Sequence, residues 1–439
     1  MLNKEDNERL VRVGPGTDMG RLIRLYWIPF LMSSDVTVDG QPYRVRLLGE
    51  DLVAFRDSQG KVGLVDHACP HRGAPLIFGR NEEDGLRCVY HGWKFDVSGQ
   101  CKDMPAEPAN SPMPSRTTIN AYLVRERNGV LWAYMGPDRL NPPELPSLEW
   151  NLVPQDNVVV TLRVQECNWL QALEGEIDSA HAAILHGRVD TSGVINQWTQ
   201  TQDLTPKFEC VAHDAGVHIA SKRNAGEDKS YVRVNQYLMP FWTLVPPPPK
   251  FPDLSGHAWV PMDDEHTLCI MFSYLPDQPF YEKTRQIFKE GHAGRETGHA
   301  SEKSFEKRPV CDPYHTYWSI YNRGNAYQFN YQSQVEKYNS GLPGLWVQDA
   351  ACQSGVTPIF DRSKERLGTS DTGIARTRRF LLEALRKLTV DNQKPISVTN
   401  SEQFLWRAIS ISMQASSDWK IEGSEVMKAK LGQGFGYIP

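Results

Sequence analysis

The most constraining feature of the chain is the spacing of four side chains, Cys69-x-His71-x16-Cys88-x2-His91. Cys69-Pro70-His71 and Cys88-Val89-Tyr90-His91 both fall between short β-rich runs, so each reads as a hairpin tip. Pro70 and Gly73 suit tight turns. Two tips that each offer a sulfur and an imidazole can converge on one metal centre. Two Cys and two His suit zinc or an iron–sulfur cluster. The alternatives are a structural zinc site and two unconnected surface turns. The helix-borne His-x3–5-His half of a zinc finger is absent. The pattern present is the one in which two histidines replace two thiolates on one iron of a [2Fe–2S] cluster. Neutral imidazole carries less negative charge than thiolate, so the reduced cluster forms more easily.

The chain has 439 residues, 40% hydrophobic and 23% charged, which predicts two or three domains with ample core. A net charge of −5 with mixed signs offers no basic excess for nucleic acid. No apolar run reaches the roughly 18–20 residues of a membrane span. The start, MLNKEDNERL, is charged and lacks the apolar core of a signal peptide, so a cytoplasmic protein is expected. Cysteines at 69, 88, 101, 167, 210, 269, 311 and 352 are scattered, which predicts reduced thiols. Apart from Cys69 and Cys88 they read as small buried hydrophobes.

Residues 1–30 predict a helix, with Leu22, Ile23, Tyr26 and Trp27 at near-helical spacing and Pro29 as its stop. From 42 to 136 short β runs alternate with turn residues, as in an antiparallel all-β domain. The proline-rich stretch 136–148 reads as a linker. Beyond it, 150–166 predicts strand, 168–187 helix and 206–275 mixed strands, with VPPPPK (245–250) extended. Helices are expected within 278–308, at 341–353 and at 373–388, the last with an apolar stripe of Ile374, Phe380, Leu381, Leu385 and Leu388.

A second constellation lies in CNWLQALEGEIDSAHAAILH (167–186): Glu174-x3-Asp178-x2-His181-x4-His186. At about 100° per residue, Glu174, Asp178 and His181 share one helical face, while His186 lies about 140° from His181. If both histidines bind one metal, the helix must be distorted between them, for instance by a π-bulge. A carboxylate at Asp178, one turn before His181, can accept a hydrogen bond from the far nitrogen of a ligand histidine. Glu174 reads equally as structural or functional. A solvated acidic face with incidental histidines is the alternative for the whole string.

These stretches, CPHRG, CVYHGWKF, the Asn168-Trp169 iron motif, RLYWIPFL and DRSKERLGTSD, together resemble the Rieske non-haem iron aromatic-ring-hydroxylating oxygenases. The likeness covers nearly the whole chain and is greatest to the oxygenase subunits of the phthalate dioxygenase-like branch. It implies an α+β chain: an all-β Rieske [2Fe–2S] domain and a helix-grip catalytic domain with an antiparallel sheet. The boundaries expected are 1–26 for an N-terminal helix on the catalytic domain, 27–138 and 139–439. Cys69, His71, Cys88 and His91 then hold the cluster. His181, His186 and a later aspartate hold mononuclear Fe(II), with Asn168 supporting the ligands. Asp349 fits that aspartate, and Asp361, in what looks like a surface turn, is its rival. Gln348 stands where relatives often have an acidic residue, and SGVTPI where SQGPI is usual. Asp178 is implied as the bridge to His91 of a neighbouring subunit, which calls for a head-to-tail trimer or stacked hexamer. The further partners implied are a NAD(P)H-dependent flavin/[2Fe–2S] reductase and a small aromatic substrate. A phthalate-like acid undergoing ring cis-dihydroxylation is expected, with O-demethylation of an aryl ether as the alternative. Cations for a substrate carboxylate are sought among Lys207, Lys222, Arg223, Lys229, Arg233 and Lys250, and an apolar pocket wall in 235–249. The competing readings are an electron carrier with a dead second site and a zinc-stabilised binding module.

Overall fold

The computed structural model describes residues 2–190, 203–247, 253–289, 305–306, 312, 314 and 317–434. Cys311, Lys250 and the ends of the 245–250 and 278–308 stretches lie outside the described residues. The N-terminal β region forms a six-stranded antiparallel sheet in the order Trp27–Met32, Val130–Tyr134, Ala121–Arg127, Val62–Asp66, Glu50–Arg56, Tyr43–Leu47. The two-residue turn Asn128-Gly129 has φ of 53° and 75°, which suits the right-handed twist of its strands. A second, four-stranded sheet inserts between these strands: Arg80–Glu82, Gly85–Arg87, Lys94–Phe95 and Cys101–Asp103. The first predicted metal-binding turn precedes this sheet, and the second, Cys88–His91, joins its strands Gly85–Arg87 and Lys94–Phe95.

The start of the chain departs from a single helix. Two short helices, Lys4–Val11 and Asp18–Ile23, are separated by Gly14-Pro15-Gly16. Tyr26 ends the turn and Trp27–Met32 is a strand, with Pro29 at a register shift on the edge of the sheet. There its missing N–H costs no ladder bond. The N-terminal helices pack on the larger domain. Asn168 Nδ2 donates to Val11 O at 2.9 Å, and Arg12 pairs with Asp264 at 3.0 Å.

The larger domain is a long sheet running Lys207–His213, Gly216–Asn224, Lys229–Leu238, Trp242–Val245, Leu254–Pro261, Thr267–Tyr274, Val158–Gln165, Trp318–Ser319, Phe305–Glu306. Ile409–Gln414 pairs beside Lys229–Leu238. The sheet is antiparallel except where Val164 meets Trp318. Its inner face grips the helices Trp169–Ile177 and Thr372–Thr389. Gly373 permits the close approach of the latter, since a Cβ there would lie 2.7 Å from Ile219 Cγ2. Leu381, Leu385 and Leu388 of the predicted stripe are buried, and each such side chain contributes roughly 1.5–3 kcal/mol. One hydrophobic core spans both domains. Trp132 of the first sheet stacks on Trp150 at 5.8 Å, and Trp150 stacks on Phe272 at 4.8 Å. The turn at Leu48-Gly49 also docks on the large sheet, donating to Pro261 O and Met262 O at 3.1 and 2.8 Å. Among the described residues no helix is long and apolar enough to cross a membrane.

The predicted helix 168–187 is two helices. Trp169–Ile177 stops before Asp178, whose ψ of 106° is extended, and the one-turn helix Ala182–Leu185 follows. The break therefore lies before His181, not between the two histidines, and no π-helix occurs among the described residues.

On the outer sheet face the rings of His213 and His218 stack at 4.3 Å, against Trp406. Burial and the neighbouring His218 push His213 down to about 3, and burial also lowers His218. Unfolded histidines regain their proton below about pH 6.5, so stability falls as pH drops from there, by about 1 kcal/mol per pH unit per histidine. The urea midpoint should drop between pH 7 and pH 5, and His213→Phe should shrink that drop; an unchanged drop would refute the role of this pair.

Candidate metal centres

The two cysteine turns are built alike. Cys69 N–H donates to Ala74 O at 2.9 Å and Cys88 N–H to Trp93 O at 2.8 Å, each five residues on. The cysteine carbonyls accept from Gly73 and Gly92, at 2.9 and 3.0 Å. Both glycines are left-handed, with φ of 74° and 77°, and a Cβ on Gly92 would lie 2.8 Å from Pro105. Arg87 braces the second turn, donating to Gly92 O at 2.7 Å while paired with Glu82 and Asp103.

This fold-back turns the sulfurs in and the imidazoles out. Cys69 and Cys88 are buried, whereas His71 is exposed and His91 partly so. The two histidine rings stand 4.4 Å apart, and His71 stacks on Trp93 at 4.5 Å. Burial, with Cys88 beside it, pushes the Cys69 thiol up to about 11. A thiolate here therefore needs a metal cation to stabilise it. Buried sulfur on one side and surface nitrogen on the other fit a cluster with one thiolate-bound and one imidazole-bound iron.

The second centre joins two elements. His181 precedes Ala182–Leu185, His186 follows it, and Asp349 lies on the helix Leu345–Ser354. One ligand atom from each lies within 4.8 Å of the others. His181 Nε2 and His186 Nε2 are 3.3 and 3.5 Å from Asp349 Oδ1. The far side of each ring has its own partner. Asp178 Oδ2 stands 3.4 Å from His181 Nδ1, and Gln348 Oε1 is 2.7 Å from His186 Nδ1. Gln348 is itself fixed by donating to Leu342 O at 3.0 Å. Both Nε2 atoms are thereby left for a metal. Burial works against a charged His181, yet Asp178 and Asp349 outweigh it and hold its pKa up at about 10. Burial likewise opposes the Asp349 carboxylate, but His186 and His181 keep it below the ordinary range. The field that favours a proton at His181 also favours a cation, and two imidazoles plus one carboxylate suit Fe(II) with open positions.

Three predicted residues do other work. Asn168 makes no hydrogen bond to these ligands: Oδ1 caps Leu170 N at 3.1 Å, and Nδ2 donates to Val11 O and Asp264 O. Glu174 is buried in ion pairs with Arg362 at 2.9 Å and Arg378 at 2.6 Å. Asp361 caps its own turn, accepting from Ser363 and pairing with Lys364, while the adjacent Arg362 is fully buried. Sequence reasoning missed Gln348 as a partner of His186. Its place beside Asp349 was the available signal.

A Rieske [2Fe–2S] domain matches residues 26–122, and the family described as LigXa C-terminal domain like matches 133–434. The chain is 38% identical over 91% of its length to the 3-chlorobenzoate-3,4-dioxygenase oxygenase subunit of Comamonas testosteroni, covering 92% of that protein. The chain belongs to the Rieske non-haem iron oxygenases. The phthalate 4,5-dioxygenase oxygenase subunit of Pseudomonas putida is 36% identical, with 88% of this chain and 86% of that one covered. The 5,5'-dehydrodivanillate O-demethylase oxygenase subunit of a Sphingobium species is 32% identical, with 89% and 82% covered. Among solved structures, the oxygenase of carbazole 1,9a-dioxygenase in complex with ferredoxin shares the fold. Its TM-score is 0.57 at 16% identity, over 90% of this chain and 98% of that one.

This Rieske oxygenase is thus an enzyme with a Rieske [2Fe–2S] domain, in a family that carries mononuclear non-haem iron at the catalytic site. Gln348→Leu should leave the cluster spectrum intact and weaken iron retention by about 10–100-fold, read by chelator competition. Unchanged retention would remove Gln348 from the support of His186.

Proposed function

We propose that residues 27–138 form the electron-receiving domain of this Rieske oxygenase and 139–439 the catalytic domain, with 1–26 packed on the latter. Cys69, His71, Cys88 and His91 hold the cluster, and His181, His186 and Asp349 hold iron. The cluster supplies single electrons and the iron an O2-reactive centre. The observation that carries this reading is the convergence of His181, His186 and Asp349 within 4.8 Å.

Asp178 is the bridge. It faces His181 from the side opposite Asp349, so its carboxylate can accept a hydrogen bond from the outward nitrogen of His91 in a second copy. Two exposed apolar surfaces support that contact. Val89 and Tyr90, within the second cluster turn, and Ile184, within the histidine helix, are exposed apolar side chains. A head-to-tail ring, trimeric or stacked as a hexamer, covers both. The electron source is a NAD(P)H-dependent reductase or ferredoxin, in the cytoplasm.

The reaction we infer is ring cis-dihydroxylation of a small aromatic acid, in line with the chlorobenzoate and phthalate dioxygenase relatives. The demethylase relative supports O-demethylation of an aryl ether as a second reading. Lys207 and Lys229 are exposed, and Lys222 donates to Ala415 O at 2.7 Å, so none of these three is a buried substrate anchor. Substrate-dependent O2 uptake, screened over aromatic acids and ethers with a surrogate reductase, tests the proposal. A dihydrodiol carrying both atoms of labelled O2 is expected; formaldehyde release selects the demethylase instead. No stimulation by any aromatic compound, with both metals bound, would overturn the assignment.

A further inference from the structure

Arg223 is a buried cation in an unusual setting. It lies on the strand Gly216–Asn224 and is 1% exposed. Buried charges normally meet an opposite charge. The guanidinium here makes hydrogen bonds to neutral acceptors alone, and no carboxylate lies within ion-pair distance of it among the described residues. Nη2 donates to Ser179 O at 2.8 Å, Nη1 to Ser179 Oγ at 3.3 Å and Ser221 Oγ at 3.1 Å, and Nε to Asp203 O at 3.3 Å. Ser221 Oγ also donates to Ser179 Oγ at 3.0 Å. Ser179 is thus held at both its carbonyl and its hydroxyl. Burial and the like charge of Arg233 pull the Arg223 guanidinium down to about 10, so keeping a cation here is costly.

Ser179 follows Asp178 directly, where the helix Trp169–Ile177 has ended and the chain is extended. The Asp178 N–H closes the helix on Gly175 O at 3.3 Å, and its Oδ1 accepts from Ala180 N at 2.8 Å. The other oxygen is the one that faces His181. A break of this kind, with few backbone bonds of its own, needs an external anchor to keep one carboxylate orientation. A cation beyond a helix C-terminus is also well placed against the helix dipole.

We propose that Arg223 is the positioning residue for the electron-transfer bridge: by clamping Ser179 it fixes the helix break so that Asp178 presents its carboxylate to His181 on one side and the neighbouring subunit on the other. The inference rests on the reading of Asp178 as that bridge. Arg223 hydrogen-bonds none of the three proposed iron ligands, and it acts through Asp178 alone.

The test uses the assembled, metal-loaded enzyme in three forms: Arg223→Lys, Asp178→Asn and the double variant. Pre-reduced cluster is mixed with substrate and O2, and its re-oxidation is followed optically. Arg223→Lys should keep both metals and slow re-oxidation by about tenfold or more. The double variant should be no slower than Asp178→Asn, because residues acting through one group are not additive. Amide exchange at Ala180 should quicken in Arg223→Lys. If Arg223→Lys fails to assemble, Ser179→Ala removes one clamped hydroxyl and should show the same pattern, weaker. Wild-type re-oxidation in Arg223→Lys, or fully multiplicative effects in the double variant, would overturn the proposal. Wild-type re-oxidation in Asp178→Asn would instead refute the bridge, and unchanged Ala180 exchange would then also refute the clamp.

Discussion

The catalytic end of this molecule depends on where one helix stops. Had Trp169–Ile177 continued to His186, Asp178 and His181 would stand one above the other on its surface, with His186 on another face. Because the helix ends before Asp178, the chain turns and delivers His181 and His186 to either end of a single further turn. That turn brings both Nε2 atoms to one oxygen of Asp349. The break also lets Asp178 stand behind His181 as a hydrogen-bond acceptor while part of it remains open to solvent. A straight helix offers one of these arrangements, not both.

Such a break needs rigid surroundings, and the fold supplies them from three directions. Glu174, one turn before the break, is locked by two buried arginines, so the helix cannot roll. Removing Glu174 would leave the buried Arg362 without its carboxylate, at a cost of about 3–5 kcal/mol. Gln348 tethers His186 from the neighbouring helix, and Arg223 holds Ser179 from the sheet below. The core shared by the two domains, with Trp132, Trp150 and Phe272 stacked in series, keeps the cluster turns and the iron ligands in fixed relation within each chain. On the proposed reading of Asp178 as an intersubunit bridge, electron delivery then depends on how copies pack, not on domain motion.

The cysteine and histidine pairs proposed as metal donors stood out in the sequence because such pairs at short spacing are chemically uncommon and local. The β region was legible because its strands alternate and its turns carry Asn, Asp and Gly at the positions that need them. The helix break was not, since Glu174, Asp178 and His181 obey helical spacing whether or not the helix continues. Glu174 was undecidable for a related reason: its partners lie 188 and 204 residues away. The same distance hid Arg362, which sits in a charged stretch that reads as surface. Asn168 was expected to support the iron ligands because it stands in the family-like motif, yet its amide is consumed by capping its own helix and tying down the N-terminal segment.

On the proposed reading, each active centre is completed by two chains. Mixed oligomers test it most directly. Co-assembled Cys88→Ala chains, lacking the cluster, and His181→Ala chains, lacking the iron, should each be inactive alone. Together they should regain oxygenation, because a cluster on one chain can serve the iron on the next. Mixed assemblies that hold both metals yet turn over no substrate would contradict the account.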